Sequence, residues 1–125
     1  MASPRKIVVG YDGSEGSRRA LERAAELCGY GSDLTIVSVA HDKDGLEKTR
    51  ALLEEASDHI LRLRTFARLS ERVGDPVDEL LAAATETHAD LLVVGNGKTR
   101  FERALHGSVS TSVVHRAVCD VLVAC

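Results

Sequence analysis

A chain of 125 residues with 16 basic and 19 acidic side chains, formal charge −3, is the size of one domain and lacks the positive excess that neutralises a phosphate backbone. Hydrophobic residues make up 44% and aromatic ones 3%, so the core must be aliphatic, bases find no stacking platform, and nucleic acid is not an expected partner. Cys28, Cys119 and Cys125 form no CxxC pair, which suits a reducing compartment; the opening MASPRKIVVGYDGS has no apolar stretch long enough for a signal peptide or a span, so the expectation is a cytoplasmic protein with no membrane partner.

Lys6 to Gly10 (KIVVG) is a short β-branched run ending in glycine, the pattern of a strand buried on both faces. Asp12, Gly13 and Ser14 supply turn and N-cap chemistry. Ala20, Leu21, Ala24, Ala25 and Cys28 then fall at helical spacing, predicting a helix from Gly16 to Cys28. Leu34 to Ala40 (LTIVSVA) is a second buried strand, and His41 to Gly45 is turn-like. Asp42-Lys43-Asp44-Gly45 resembles the start of a calcium loop, but Leu46 and Leu53 stand where that loop needs oxygen ligands, so it reads as a turn.

A longer helix follows through Leu46, Leu52, Leu53, Ala56, Ile60 and Leu63. Phe66 to Val73 alternates apolar and polar residues, as an edge strand with one wet face does. In Gly74-Asp75-Pro76 the aspartate can cap and the proline occupy the first helical position. Val77, Leu80, Leu81, Ala84 and His88 continue that helix. Asp90 to Gly95 (DLLVVG) is the clearest buried strand, Ser108 to Ala117 a helix with Val109, Val113 and Ala117 on one face, and Asp120 to Ala124 (DVLVA) a last strand.

The order βαβαβαβαβ implies one domain over residues 1–125: a doubly wound α/β fold with helices on both faces of a five-stranded parallel sheet. Right-handed crossovers leave few arrangements, and the flavodoxin/Rossmann-like order 3-2-1-4-5 is the expected one. In such a sheet ligands bind beyond the carboxyl ends of the strands, where the order reverses. That point lies between the first and fourth strands, whose ends carry Gly10-Tyr11-Asp12-Gly13-Ser14 and Gly95-Asn96-Gly97-Lys98-Thr99.

Gly95 and Gly97 let the backbone approach a ligand without a Cβ. Gly107-Ser108 opens a helix whose first amides have no internal partners and lie at the positive end of its dipole, an anion site. Each amide bond to a charged oxygen contributes about 1.5–3 kcal/mol. A phosphate-holding segment from Gly95 to Ser108 follows. Gly97-Lys98-Thr99 is not a Walker A loop, because Leu92 stands where its first glycine belongs. Lys98, Arg100 and Arg103 read first as solvated loop charges, and Asp12 has a plain alternative as a helix cap. His106, Ser108 and His115 make no hydrolytic set without a GxSxG elbow, and no Cys/His spacing resembles a zinc site. No catalytic residue and no metal ligand is assigned.

Gly95-Asn96-Gly97, nine residues, then Gly107-Ser108-Val109-Ser110 resembles the signature of the ATP-binding branch of the universal stress protein family, in which glycine, two residues, glycine and nine residues precede Gly-Ser or Gly-Thr. KIVVGYDGSEGSRRAL, GDPVDELL, ADLLVVGN and HRAVCDVLVA are similar to that family in place and order. The first gap here holds one residue, Asn96, where the family pattern has two. The resemblance implies that Asp12 meets the ribose or the phosphate–metal region, and that the backbone around Val37 to Val39 brackets adenine. It further implies that Gly95, Gly97, Gly107, Ser108, Val109 and Ser110 wrap the ribose and phosphates, with Mg alongside ATP. A homodimer through residues 120–124 is implied as well, and a binding-state switch with slow hydrolysis at most. Two alternatives are a dimeric interaction module of the same family without nucleotide, and a receiver-like signalling domain. The latter wants an acidic cluster where this chain has Asp12 alone.

Overall fold

The structure, a computed structural model, describes residues 6–96 and 108–125, the side chains at 108, 110 and 111 excepted. Among these, strands β1 (Lys6–Gly10), β2 (Asp33–Ala40), β3 (Arg68–Val73), β4 (Leu91–Gly95) and β5 (Asp120–Ala124) alternate with four helices. The helices are α1 (Glu15–Leu27), α2 (Leu46–Leu61), α3 (Pro76–Glu86) and α4 (Ser108–Arg116). All pairings are parallel and the sheet order is β3-β2-β1-β4-β5, as expected from the sequence. β1 is therefore central, with Val8 beside Thr35 on one flank and Leu92 on the other.

Strand periodicity splits the core in two. Ile7, Val9, Ile36 and Val93 meet Ala20, Leu21 and Ala24 of α1 and Leu53, Ala56 and Ile60 of α2 on one face. Val8, Val37, Leu92 and Val94 meet Val77, Leu80 and Ala84 of α3 and Val113 of α4 on the other. The unbroken apolar runs of β1 and β4 follow directly, because both faces of each strand are covered. Ser14 caps α1 by accepting the Ser17 amide at 3.2 Å, and Asp75 caps α3 by accepting the Asp78 amide at 3.0 Å, with Pro76 in the first turn. Asp42 accepts the Asp44 amide at 3.0 Å and opens a short 3-10 turn over Lys43–Gly45, so that segment is a turn, as read.

Several boundaries differ from the sequence reading, three of them for a visible reason. α2 stops at Leu61 because Arg64 turns into the left-handed region (φ 59°) and the Thr65 amide reaches back to the Ile60 carbonyl at 3.0 Å, a Schellman-type stop made without glycine. β3 then starts at Arg68, leaving Phe66 79% exposed in the preceding loop. α3 ends the same way, with Thr87 as its C-cap and His88 (φ 53°) in the left-handed position after it, where Ala89 donates to the Ala84 carbonyl, so His88 stops the helix instead of continuing it. Val109 lies at the surface while Val113 is fully buried, so α4 inserts only part of its apolar stripe. Edge strand β3 has no dry face: Leu69 and Val73 are half-exposed, and on the other side Arg72 binds Glu79 and Glu86 of α3.

Candidate functional site

The order reversal places the carboxyl ends of β1 and β4 side by side, and the two are joined through the first turn of α1. A Cβ at Gly95 would lie 2.6 Å from the Gly16 carbonyl carbon, 2.7 Å from its oxygen and 2.9 Å from the Ser17 amide. Only glycine permits this approach. Gly95 thus has a packing reason for lacking a side chain, in addition to the one sought in the sequence, and its φ is not in the left-handed range. Asn96 continues the seam by donating its amide to the Ala124 carbonyl at 3.0 Å. On the other wall, Gly10 sits under Leu80 of α3, and Val39 is partly buried on that same face.

Between these walls runs the turn from Tyr11 to Ser14. The Tyr11 amide donates to the Val37 carbonyl at 2.8 Å, continuing the ladder one residue past the strand. Asp12 does not cap α1. Its Oδ1 accepts the Ser14 amide at 2.9 Å, an Asx turn that presents Ser14 as the cap. Ser17 Oγ donates to the Ser14 carbonyl at 3.0 Å and accepts the Asp12 amide at 3.3 Å. Partial desolvation against the turn pushes the Asp12 carboxyl up, but the hydrogen bonds from Ser14 outweigh it and hold the group below the ordinary carboxylate value. The result is an exposed, ionised carboxylate on a hydrogen-bonded turn beside a helix N-terminus. Gly13 takes φ 82°, with Leu52 of α2 where a Cβ would point, so the turn is pressed between α1 and α2.

One cluster had no signal in the sequence. Tyr11 Oη donates to Glu55 Oε1 at 2.9 Å, and Arg18 binds the same oxygen at 3.2 Å, tying β1, α1 and α2 together beside the turn. Burial raises the Tyr11 hydroxyl, while the Tyr11 and Arg18 hydrogen bonds lower Glu55. Glu55 lies 44 residues from Tyr11, so no local spacing announces the contact.

The structure therefore brings Asp12, Gly95 and the carboxyl end of β2 at Val39 to one end of the sheet. α4 begins at Ser108 and packs against α3 and β5. Gly97 and Gly107, with Lys98, Arg100, Arg103 and His106, lie outside the described residues, as do the side chains of Ser108 and Ser110. A groove of about 230 Å³ lies at the opposite end of the sheet, between the last turns of α3 and α4, lined among others by Leu81, His88, Arg116, Val118 and Cys119. It lies away from the β1–β4 carboxyl ends.

Comparison with known proteins gives the chain its relatives. The model of the Universal stress protein family matches residues 4–124. A universal stress protein of Mycobacterium tuberculosis is 34% identical over 98% of this chain and 97% of its own length. Among solved structures, a universal stress protein in complex with cAMP is 36% identical, covers 99% of this chain and 98% of its own, and superposes with a TM-score of 0.82. A universal stress protein of Archaeoglobus fulgidus in complex with dAMP, 23% identical over 99% of this chain and 100% of its own, has a TM-score of 0.81 and shares the fold. No described helix is long and apolar enough to cross a membrane.

Proposed function

The chain belongs to the universal stress protein family, and from that membership we propose that it is an adenine-nucleotide-binding protein whose ligand, ATP, lies across the carboxyl ends of β1 and β4. The observation that carries this reading is the seating of Gly95 on Gly16 and Ser17. It brings the end of β4 against Ser17, whose hydroxyl accepts the Asp12 amide, so that the exposed Asp12 carboxylate and the end of β4 would flank the ligand next to the α1 N-terminus. Asp12 is then available to a ribose hydroxyl or a phosphate-bound magnesium. Gly97, Gly107, Ser108, Val109 and Ser110 are assigned to the phosphates from their spacing and from the orphan amides at the start of α4. Its action in this reading is that of a binding-state switch with slow hydrolysis at most; among the described residues no nucleophile is paired with a base.

The relative that is 36% identical holds cAMP, which favours a second reading with cAMP as the ligand. The one-residue turn at Asn96 points the same way, because it shortens the loop that three phosphates would need. Isothermal titration with Mg·ATP, AMP and cAMP separates the two. The expected result is saturable binding of at least one of them, with the tightest naming the ligand; no heat from any of the three at millimolar concentration overturns both readings.

We also assign homodimerisation to β5. Antiparallel two-fold pairing of the opposite edge, β3, would set Arg68 against Arg72 when centred on Ser70, or Glu71 against Glu71 when centred on that residue. Like charges directly opposite are destabilising. β5 centred on Leu122 sets Val121 against Val123 and opposes no like charges.

A further inference from the structure

We propose that the rim formed by residues 61–68 together with Tyr30 is a peripheral docking surface for an anionic lipid bilayer. The segment reads LRLRTFAR. Leu61 is 43% exposed, Leu63 46% and Phe66 79%. Nine arginines fall among the described residues. Six of them, Arg18, Arg19, Arg23, Arg50, Arg72 and Arg116, each bind a carboxylate. The remaining three, Arg62, Arg64 and Arg68, are all in this segment and exposed, with no ion pair among the described residues. Asp58, one turn before Arg62, and Asp33, at the start of β2, are nearby acids that do not pair with them.

Aromatic residues are scarce in this chain, and their placement is informative. Of the three described, Tyr11 is buried, whereas Tyr30 is fully exposed in the α1–β2 loop and Phe66 stands in the α2–β3 loop. Those loops enter neighbouring strands at the same end, with Thr35 set beside Arg68 by the register. The left-handed turn at Arg64 ends α2 inside the segment.

The occupant is argued from how charge and apolar surface are mixed. A protein interface gathers apolar side chains into a dry centre and leaves charges on the rim. Here arginine and leucine alternate residue by residue, with aromatic groups at the loop tips. A bilayer interface accommodates that mixture, taking Leu and Phe into the headgroup–acyl boundary and guanidinium groups onto lipid phosphates. No span is required. The rim lies at the amino ends of the strands, opposite the carboxyl ends that carry Asp12 and Gly95, so a docked protein would keep its cleft turned to solution. This placement does not depend on what the cleft binds.

The test is co-sedimentation of the full chain with phosphatidylcholine vesicles containing phosphatidylserine and with pure phosphatidylcholine vesicles. Partition into the anionic vesicles alone is expected, weakening as salt is raised. Combined Arg62→Glu, Arg64→Glu and Arg68→Glu should lower it by at least about tenfold, and Leu63→Ser with Phe66→Ser by about tenfold at unchanged charge. Arg19→Glu, Arg23→Glu and Arg50→Glu, the same charge change elsewhere, should leave most of it. All these side chains are at the surface, so melting temperatures near that of the parent chain check the fold. Equal partition into both vesicles, no sedimentation with either, or a triple rim variant that binds like the parent overturns the proposal. No sedimentation with either would hand the rim to a protein partner.

Discussion

Gly95 of β4 rests directly on Gly16 of α1, with no room for a single methyl group between them. Two segments 79 residues apart in sequence are thereby fixed as neighbours, and the proposed cleft is built on their contact. Gly95→Ala should destabilise the fold by roughly 1–3 kcal/mol, because all three obstructing atoms are backbone and none can rotate aside. Urea unfolding reads the loss. Nucleotide affinity should fall with it, and Gly31→Ala, where a Cβ meets nothing but φ is 84°, separates backbone strain from crowding.

Asp12 gives a pH signature. Its carboxyl is held below the ordinary value in the fold, so its contribution is fully present above the unfolded value of about 4 and is lost as pH falls through the folded one. Asp12→Asn keeps an acceptor for the Ser14 amide but has no charge to titrate. The parent should therefore exceed the variant in stability at pH 6, and the gap should close below about pH 4. A gap that widens on acidification contradicts the assigned shift.

Tyr11→Phe removes one hydrogen bond to a half-exposed carboxylate and should cost about 0.5–1.5 kcal/mol. Glu55→Gln keeps an acceptor and gives up only an exposed ion pair, so its cost should be near zero. Chemical denaturation of both variants tests the ranking.

The two capped helices should respond alike. Ser14→Ala and Asp75→Ala each remove the acceptor for a first-turn amide and should each cost about 1 kcal/mol. Only Ser14→Ala should also weaken nucleotide binding, since that cap sits in the proposed cleft.

Val123→Pro tests the proposed dimer. The Ala124 carbonyl faces β4, where it accepts the Asn96 amide, so the neighbouring Val123 amide faces the open edge. Proline there removes no bond to β4 but blocks a partner strand. Light scattering should show a monomer with a melting temperature close to that of the parent chain.

How much of this was legible in the sequence depended on how local each signal was. β1 and β4 announced themselves because strands covered on both faces read as unbroken apolar runs, β2 and β5 because their runs are only slightly less apolar, and Asp75-Pro76 declared the start of α3. The ends of α2 and α3 were misplaced because arginine and histidine, and not glycine, occupy the left-handed stop positions. Asp12 was recognised as a turn residue, yet which side chain capped α1 depended on a choice between Asp12 and Ser14 that composition does not make. The glycine at 95 was noticed for a ligand, while its contact with Gly16 exists only once the sheet order is set. Glu55 was invisible for the same reason: its partners come from two other elements.

The central position of β1 has a meaning for how the protein is made. The Lys6 amide binds the Asp90 side chain and the Asp90 amide the Lys6 carbonyl, contacts that bridge 84 residues. During synthesis β1, α1 and β2 can assemble early, but one flank of β1 stays unpaired until residues 91–95 have left the ribosome, and such long-range pairing is slow to close. The junction of β1 and β4, where the ligand is proposed to lie, is thus among the last parts of the molecule to exist. A nascent or prematurely ended chain that stops short of Gly95 would expose one edge of its central strand and lack the proposed site, so ligand could reward only a chain that is nearly complete.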